Sequence, residues 1–209
     1  MCRKMKTTII SFSSRRDGNC AQIGKLIQSL IPDSALFAFS ELEIHACGKC
    51  RYECFGSREA CPYVHDDECR LLEAVLHSET VYFVLPNYCD YPCANYFIFN
   101  ERSQCFFQGR PELLDAYEKV PKRSVVVSNT NRENFLAALS YQSEEAPEVL
   151  FLSARSYGKK SVCGDLLTSE QAAADIAAFV RSWPERNGPC VPPDPAQRNL
   201  WRGTPRAKA

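Results

Sequence analysis

The chain has 209 residues, enough for one well-buried core, and its 25 basic and 25 acidic residues give a formal net charge of zero. This balance gives no electrostatic reason to expect nucleic acid or an anionic membrane surface as a partner. No apolar run approaches the roughly 20 residues that span a bilayer, and the apolar patch after the first basic residues is too short for a signal peptide. We therefore expect a cytoplasmic protein with no nucleic-acid and no membrane partner.

Short apolar runs alternate along the chain with segments whose apolar residues recur at helical spacing. The runs predict five strands, and the segments between them predict helices. Strands that are almost entirely apolar are typical of a parallel sheet covered on both faces, so the sequence predicts an α/β fold with a doubly wound sheet. The predicted strands cover residues 7–12, 35–39, 80–85, 124–128 and 149–152, and the helical patterns cover 23–30, 71–76, 111–117, 135–139 and 173–180.

Two segments do not follow this alternation. Residues 87–110 are aromatic-rich and irregular, and no element is predicted there. Within them, residues 91–107 carry too many large apolar side chains for a solvated loop, which predicts a contact between copies of the chain. Residues 184–209 hold six of the 13 prolines and several arginines, which predicts an extended arm without a core. The predicted domain therefore covers residues 1–183.

The loop after the first predicted strand carries groups suited to phosphate. This phosphate loop, residues 11–20, has the sequence SFSSRRDGNC and leads directly into a helix. Hydroxyl groups, an arginine and backbone N–H groups at a helix start are what a phosphate needs. The loop lacks the glycine patterns of dinucleotide folds and of nucleoside triphosphatases, so a solvated turn that only caps the helix is the alternative.

The phosphate loop resembles the S-x-R-x-x-G-N-[ST] loop of the NAD(P)H-dependent FMN reductase and iron–sulfur flavoprotein group. Ser13, Arg15, Gly18 and Asn19 match the pattern. Cys20 stands where serine or threonine is usual, which removes a hydroxyl donor but leaves the backbone N–H. The resemblance implies that these five residues bind the phosphate of FMN.

The family pattern continues along roughly the first 180 residues. Clustered cysteines follow the second strand, Asp66 and Asp67 open the next helix, and a Pro-x-Tyr sequence closes the third strand. The resemblance implies a flavodoxin-like sheet in the order 2-1-3-4-5, with the flavin ring held by the loops after the third and fourth strands. The implied ring contacts are Pro86, Asn87, Tyr88, Cys89, Asp90, Ser128, Asn129 and Thr130.

Two of these residues have a simpler role that is compatible with ring contact. Asn129 and Thr130 have side chains that commonly cap helices, and a helix is predicted to follow them. Ring contact at these positions is therefore an expectation by analogy with the family.

Four of the twelve cysteines lie within fifteen residues, as Cys47-x2-Cys50-x3-Cys54-x6-Cys61. In a reducing compartment, clustered cysteines more often hold metal or carry out redox chemistry than form structural disulfides. The motif resembles that of the iron–sulfur flavoproteins and implies a 4Fe–4S cluster, although its second gap holds three residues where two are usual. Tetrahedral zinc and reduced, unligated thiols are the alternatives. Residues 45–64, the cysteine-rich segment, are predicted to form an insert in the domain.

These features predict an FMN-dependent oxidoreductase that takes electrons from NAD(P)H or a reduced carrier and passes them to a small-molecule or protein acceptor. No catalytic side chain is predicted, because the flavin itself performs such chemistry. A one-electron carrier flavoprotein and a zinc-stabilised FMN-binding module without turnover are the alternatives. The resemblance also implies a homodimer or a homotetramer.

Overall fold

The computed structural model describes residues 7–48, 50–129, 133–140, 142 and 147–182. Thr130 and the predicted arm at 184–209 lie outside these residues. The strands are β1 (Thr7–Ser11), β2 (Ser34–Ala38), β3 (Thr80–Tyr88), β4 (Tyr91–Pro92), β5 (Lys122–Ser128) and β6 (Glu148–Ser153). The helices are α1 (Asn19–Leu30), α2 (Glu68–Leu76), α3 (Ala94–Phe107), α4 (Pro111–Lys119), α5 (Glu133–Leu139) and α6 (Glu170–Arg181).

Five strands form one parallel sheet in the order β2-β1-β3-β5-β6. This is the flavodoxin-like order 2-1-3-4-5 once β4 is set aside, so the predicted fold class is confirmed. The difference is β4, a two-residue strand that pairs antiparallel with the end of β3 and was not predicted. None of the described helices is long and apolar enough to cross a membrane.

Helices cover both faces of the sheet. On one face, Ile23 of α1 and Ile176 of α6 pack with Ile9 and Val125 of the central strands, and all four side chains are fully buried. On the other face, α2, α3, α4 and α5 share a second core that contains Phe83 of β3. The strands are apolar on both sides because each side faces helices, as expected for a parallel sheet.

Helix α3 corrects the prediction for the aromatic-rich segment 87–110. Tyr96, Phe99, Phe106 and Phe107 are buried in the core, and Phe97 is 45% exposed. The helix packs against both α2 and α4, so apolar residues are needed on more than one side and no single stripe marks it in the sequence. Most of the aromatic side chains that were expected at a contact between copies therefore belong to the domain's own core.

Glu68, in the first turn of α2, is a buried carboxyl group with only 1% of its surface exposed. Neither of its carboxyl oxygens has a hydrogen-bond partner among the residues that the structure describes. Burial raises the pKa of Glu68 well above its usual value, the nearby Arg102 opposes this change, and Asp66 adds to it. The folded protein therefore favours the neutral, protonated acid at this position.

We expect Glu68→Gln to stabilise the protein increasingly as pH rises from about 4.5 to about 8. A carboxyl group whose pKa is raised by folding contributes its full stability below its ordinary pKa and loses it as pH rises through the raised value. Glutamine has a similar shape and no proton to lose. Each unit by which folding raises the pKa costs the parent about 1.4 kcal/mol once the group ionises, so the melting temperature of the variant should exceed that of the parent by several degrees at the higher pH.

The matched control for this prediction is Glu73→Gln, a change at an exposed position of the same helix. Thermal unfolding of the three proteins across the pH range gives the comparison. A constant difference between the Glu68→Gln variant and the parent at every pH would contradict the raised pKa.

Candidate functional site

The phosphate loop lies at the carboxyl end of β1 and leads into α1. Gly18 is the residue before the helix, and no side chain caps the first turn of α1 within the described part of the chain. A Cβ atom on Gly18 would lie 3.2 Å from the Cβ of Arg15, so glycine lets the loop close tightly at the helix start. The first backbone N–H groups of α1 are therefore the kind of groups that bind a phosphate.

Arg15 and Ser13 shape this loop. The backbone N–H of Arg15 donates to Ser13 Oγ at 3.1 Å, which makes a tight turn. The guanidinium of Arg15 donates to the carbonyl of Val162 at 2.7 Å and lies 3.8 Å from the Asp17 carboxylate. Its side chain is half exposed. The arginine is thus held beside the loop, with further N–H groups that can reach an anion.

Asn19 fastens the phosphate loop to the β6–α6 loop, residues 154–169. Its Nδ2 donates to the carbonyl of Ser161 at 2.8 Å, and its Oδ1 accepts the N–H of Leu166 at 3.0 Å. Both ends of the amide are therefore engaged within the protein. Asn19 therefore positions the two loops relative to each other, and its part in phosphate binding stays a prediction.

Cys20 lies in α1 with its thiol in the core beneath the sheet edge. Burial raises the pKa of this thiol far above its usual value, and the neighbouring Cys93 adds to the effect. Only the backbone of Cys20 belongs to the phosphate loop. This agrees with the substitution of cysteine where the family pattern has a hydroxyl residue.

The predicted ring-binding loop after β3 is a tight hairpin. Tyr88 pairs with Tyr91, and the two residues between them, Cys89 and Asp90, have φ values of 52° and 69°. Two consecutive left-handed residues are typical of a type I′ turn, which usually contains asparagine and glycine. The preceding Pro86 is buried, whereas Tyr88 is 59% exposed. The hairpin therefore projects an aromatic ring and a turn backbone at the sheet edge.

The loops after β3 and β5 lie side by side, as the sequence predicts. Asn87 Nδ2 donates to Ser128 Oγ at 2.8 Å. The next residue, Asn129, donates through Nδ2 to Ser161 Oγ at 3.0 Å and accepts the N–H of Arg155 at 3.3 Å. Asn129 therefore joins the β5 loop to the β6–α6 loop, and its predicted ring contact and helix cap stay predictions.

Asn95, which sequence reasoning missed, closes the phosphate loop from the other side. Its Nδ2 donates to the carbonyl of Phe12 at 2.8 Å and to Ser14 Oγ at 3.0 Å. The Cys93 thiol donates to the same Phe12 carbonyl at 3.3 Å. Because no helix was predicted in this segment, no helix start was expected beside the loop.

Tyr88 connects the hairpin with the phosphate loop. Burial raises the pKa of its hydroxyl, Cys93 and Cys20 add to this change, and Arg15 opposes it. These influences place the phenol near the loop that holds Arg15. The phosphate loop, the hairpin and the loop after β5 thus meet at one edge of the sheet, where ligands bind in open α/β folds.

A cleft of about 540 Å³ lies next to this edge, between the β4–α3 region and α5. Its volume is within the range of about 300–1,000 Å³ that is usual for small-molecule sites. Among the described residues, no charged side chain lines it. The lining residues are Tyr91, Phe97, Asn100, Asn134, Ala137, Ala138 and Ser140.

The four clustered cysteines do not converge on one point. Cys50 donates to the carbonyl of Cys47 at 3.4 Å, whereas Cys61 Sγ accepts from Nη1 of Arg102 in α3. Across the described residues, no group of three or more histidine, cysteine, aspartate or glutamate side chains is arranged to hold a metal ion. The predicted ligand set is therefore not assembled among the described residues.

Arg102 lies among these thiols and is only 2% exposed. Its Nη1 donates to Cys61 Sγ at 3.5 Å. Its Nη2 lies 3.0 Å from both carboxylate oxygens of Asp66. Burial raises the pKa of the Cys47 thiol, and Arg102 opposes this change. A buried cation thus lies among the predicted metal ligands, which disfavours a second cation in the same place.

Polar and aromatic contacts hold the cysteine-rich segment in place of an aliphatic core. Arg102 donates to the carbonyl of Tyr63 at 3.0 Å, and the Tyr63 ring stacks on His45 at 5.1 Å between centroids. Arg58 donates to Cys69 Sγ at 2.8 Å and lies over the Phe106 ring. These contacts restrain the segment without an aliphatic core of its own.

Comparisons with known proteins identify the fold. No protein-family model and no curated protein matches the chain. The azoreductase of Bacillus anthracis str. Sterne is 8% identical, with a TM-score of 0.59 over 86% of this chain and 100% of that chain. A flavone reductase is 12% identical, with a TM-score of 0.52 over 85% of this chain and 63% of that chain. RosB, solved with bound 8-demethyl-8-formylriboflavin-5'-phosphate, is 14% identical, with a TM-score of 0.53 over 87% of this chain and 81% of that chain. At these identities the likeness establishes a shared fold alone.

Proposed function

We propose that this protein is an FMN-dependent oxidoreductase that takes electrons from NAD(P)H and passes them to a small-molecule acceptor. One observation carries the proposal. The uncapped start of α1, with Gly18 and Arg15, lies at the same end of the sheet as the two loops that are predicted to hold the ring. Proteins of the same fold support it by their names, which describe an azoreductase, a flavone reductase and a complex with a 5'-phosphorylated flavin.

The residues at this edge of the sheet can bind both the phosphate and the ring of FMN. Backbone N–H groups at the start of α1 and the Ser13 hydroxyl would bind the phosphate, and Arg15 would add a positive charge. The hairpin would place its backbone and the Tyr88 ring beside the isoalloxazine, since Asn87 and Ser128 fix its distance from the neighbouring loop. When bound, the flavin supplies hydride and single-electron chemistry.

The uncharged cleft favours an enzyme over a pure electron carrier. It adjoins the hairpin through Tyr91, and its aromatic and small apolar lining suits a neutral, flat acceptor. A carrier that meets only protein partners has no need of such a cavity. Neither the 4Fe–4S cluster nor the zinc ion fits the cysteines as they lie, so the proposed function uses the flavin alone.

We also propose that the protein is a cytoplasmic homodimer or homotetramer, as the resemblance implies. Tyr88, Tyr91 and Phe97 are 59%, 50% and 45% exposed and cluster near the cleft. Exposed aromatic side chains of this kind commonly lie at interfaces. These three side chains belong to the aromatic-rich segment but are not buried in the domain's own core.

The purified protein is expected to be yellow, to release FMN on denaturation, and to oxidise NAD(P)H in the presence of a small aromatic acceptor. Ala137→Trp would fill the cleft at an exposed position and should lower kcat/KM for the acceptor by about tenfold or more, because about 1.4 kcal/mol of lost contact is a factor of ten. FMN affinity should stay unchanged, since Ala137 is not one of the proposed flavin contacts. Steady-state NAD(P)H oxidation and flavin titration give the two measurements.

The matched control is Ala174→Trp, a substitution at an exposed position of α6, which packs on the opposite face of the sheet. Flavin binding without any NAD(P)H oxidation would point to the carrier instead. Absence of flavin binding would exclude both functions.

A further inference from the structure

The β6–α6 loop crosses the edge of the sheet toward the phosphate loop. It leaves β6, which lies three strands away from β1 in the sheet, or about 14 Å at the usual strand spacing. The carbonyl of Ser161 nevertheless accepts from Asn19 at 2.8 Å. The carbonyl of Val162 accepts from Arg15 at 2.7 Å. A ligand at the phosphate loop therefore has the β6–α6 loop as a direct neighbour.

The first part of this loop, residues 155–160 with the sequence RSYGKK, is the basic segment. A short 3₁₀ turn at Ala154–Tyr157 ends at Gly158, whose φ of 68° lies in the left-handed region that favours glycine. The N–H of Lys159 donates to the carbonyl of Ala154 at 2.9 Å. The N–H of Gly158 donates to the carbonyl of Arg155 at 3.0 Å. This pair of bonds is typical of closed helix ends, so the backbone of the basic segment is fixed.

The basic segment carries positive charge that the protein does not neutralise. Three of its six residues are cationic and none is acidic. Arg155 and Lys160 are exposed, and Lys159 is half-buried. Within the part of the chain that the structure describes, no carboxylate forms an ion pair with any of them. Asp165, the single acidic residue of the β6–α6 loop, lies five residues after the segment. Such a local charge attracts anions.

The basic segment adjoins the candidate flavin site at both of its ends. The N–H of Arg155 donates to Oδ1 of Asn129, in the loop after β5. Lys160 directly precedes Ser161, the residue in contact with Asn19, and consecutive Cα atoms are about 3.8 Å apart. The FMN phosphate has the start of α1 and Arg15 as its proposed partners. The cations of the segment are therefore available to a second anion, carried by a nucleotide that reaches the flavin.

We propose that the basic segment binds the 2'-phosphate of NADPH through Lys159 and Lys160, with Arg155 beside them, so that NADPH is the preferred electron donor over NADH. This inference rests on the proposed function, because it names the donor used at that same site. The two nucleotides differ only in this phosphate. Sites for the ribose 2'-hydroxyl of NADH use a carboxylate, whereas sites for the 2'-phosphate use a basic side chain. The basic segment offers three basic side chains and no carboxylate.

The test is the ratio of kcat/KM for NADPH to kcat/KM for NADH, measured with the full-length, FMN-loaded protein and one acceptor. We expect the parent to favour NADPH by about tenfold or more, since charge-assisted hydrogen bonds to the additional phosphate contribute about that factor. The double variant Lys159→Gln with Lys160→Gln should lose this preference, because kcat/KM falls for NADPH and changes little for NADH. Lys119→Gln is the matched control, since the exposed Lys119 ends α4 just before β5 and lies at the opposite edge of the sheet.

A titration without turnover separates this inference from the proposed function. Adenosine 2',5'-bisphosphate carries the 2'-phosphate and adenosine 5'-phosphate does not, so calorimetry with the parent and the double variant measures that contact alone. Tighter binding of the bisphosphate by the parent, lost in the double variant, supports the site even if neither NADPH nor NADH is oxidised.

Three outcomes would overturn the proposal. The first is equal kcat/KM for NADPH and NADH in the parent. The second is an unchanged ratio in the double variant. The third is a loss of FMN affinity but not of riboflavin affinity in the double variant, because the two lysines would then belong to the FMN phosphate.

Discussion

Arg15→Ala is expected to weaken FMN binding by about 10- to 100-fold and to leave riboflavin binding nearly unchanged. The two ligands differ only in the phosphate, and a hydrogen bond between a guanidinium and an anion contributes about 1.5–3 kcal/mol. Each 1.4 kcal/mol is a factor of ten in affinity. Flavin fluorescence titration with each ligand measures the two dissociation constants.

The contact between Arg15 and Val162 makes the riboflavin measurement necessary. Loss of the 2.7 Å bond could loosen the β6–α6 loop, and a loosened site would bind both ligands less well. Arg16→Ala is the matched control, because this neighbouring arginine is exposed and its Nε donates to the carbonyl of Ser40 at 3.3 Å, outside the phosphate loop. Equal losses of FMN and riboflavin affinity in Arg15→Ala would remove the phosphate-binding role of the loop.

Arg102→Met is expected to lower stability by about 3–5 kcal/mol, which is the usual cost of removing one partner from a buried ion pair. Asp66 is 3% exposed on its side chain and would remain as a buried, uncompensated carboxylate. The thiol of Cys61 and the carbonyl of Tyr63 would lose a donor as well. For a protein of this size the melting temperature should fall by on the order of 10 °C.

The chain offers a matched control for this loss. Arg70 lies 2.8 Å from Asp67, with 63% of its side chain exposed, and an exposed pair of this kind contributes about 0–1 kcal/mol. Arg70→Ala should therefore shift the melting temperature by no more than a few degrees. In the double variant Arg102→Met with Asp66→Asn, part of the lost stability should return because the uncompensated charge is gone. Similar small shifts for Arg102→Met and Arg70→Ala would contradict the buried pair.

Local patterns sufficed for most of the fold. The five apolar runs became the five parallel strands, and Pro111 begins α4 as the helical pattern predicts. Asp66 and Asp67 do precede α2, although their carboxylates accept N–H groups of Glu43 and His45 from the preceding segment as well as that of Glu68. Each of these features depends on neighbours in the chain, so a short window of sequence contains the information.

Short stretches of sequence did not predict α3, because this helix packs against several other elements. The burial of Tyr96 and Phe99 in α3 depends on contacts with β3 and with other helices, which spacing along the chain does not reveal. Asn95 was missed for the same reason, since its position beside the phosphate loop depends on where α3 begins. The bonds of Asn19 and Asn129 to the β6–α6 loop were likewise not predicted, because they join segments that are far apart in the chain.

The sequence by itself determined the class of the fold, the position of the phosphate loop and the edge of the sheet at which the predicted loops meet. These follow because strand order in a doubly wound sheet brings loops after successive strands to one side. Only the tertiary structure decided which cysteines are neighbours. Cys50 donates to the carbonyl of Cys47, whereas Cys61 accepts from Arg102, which belongs to α3. Packing of α3 against the cysteine-rich segment creates these contacts, and no spacing within the motif encodes them.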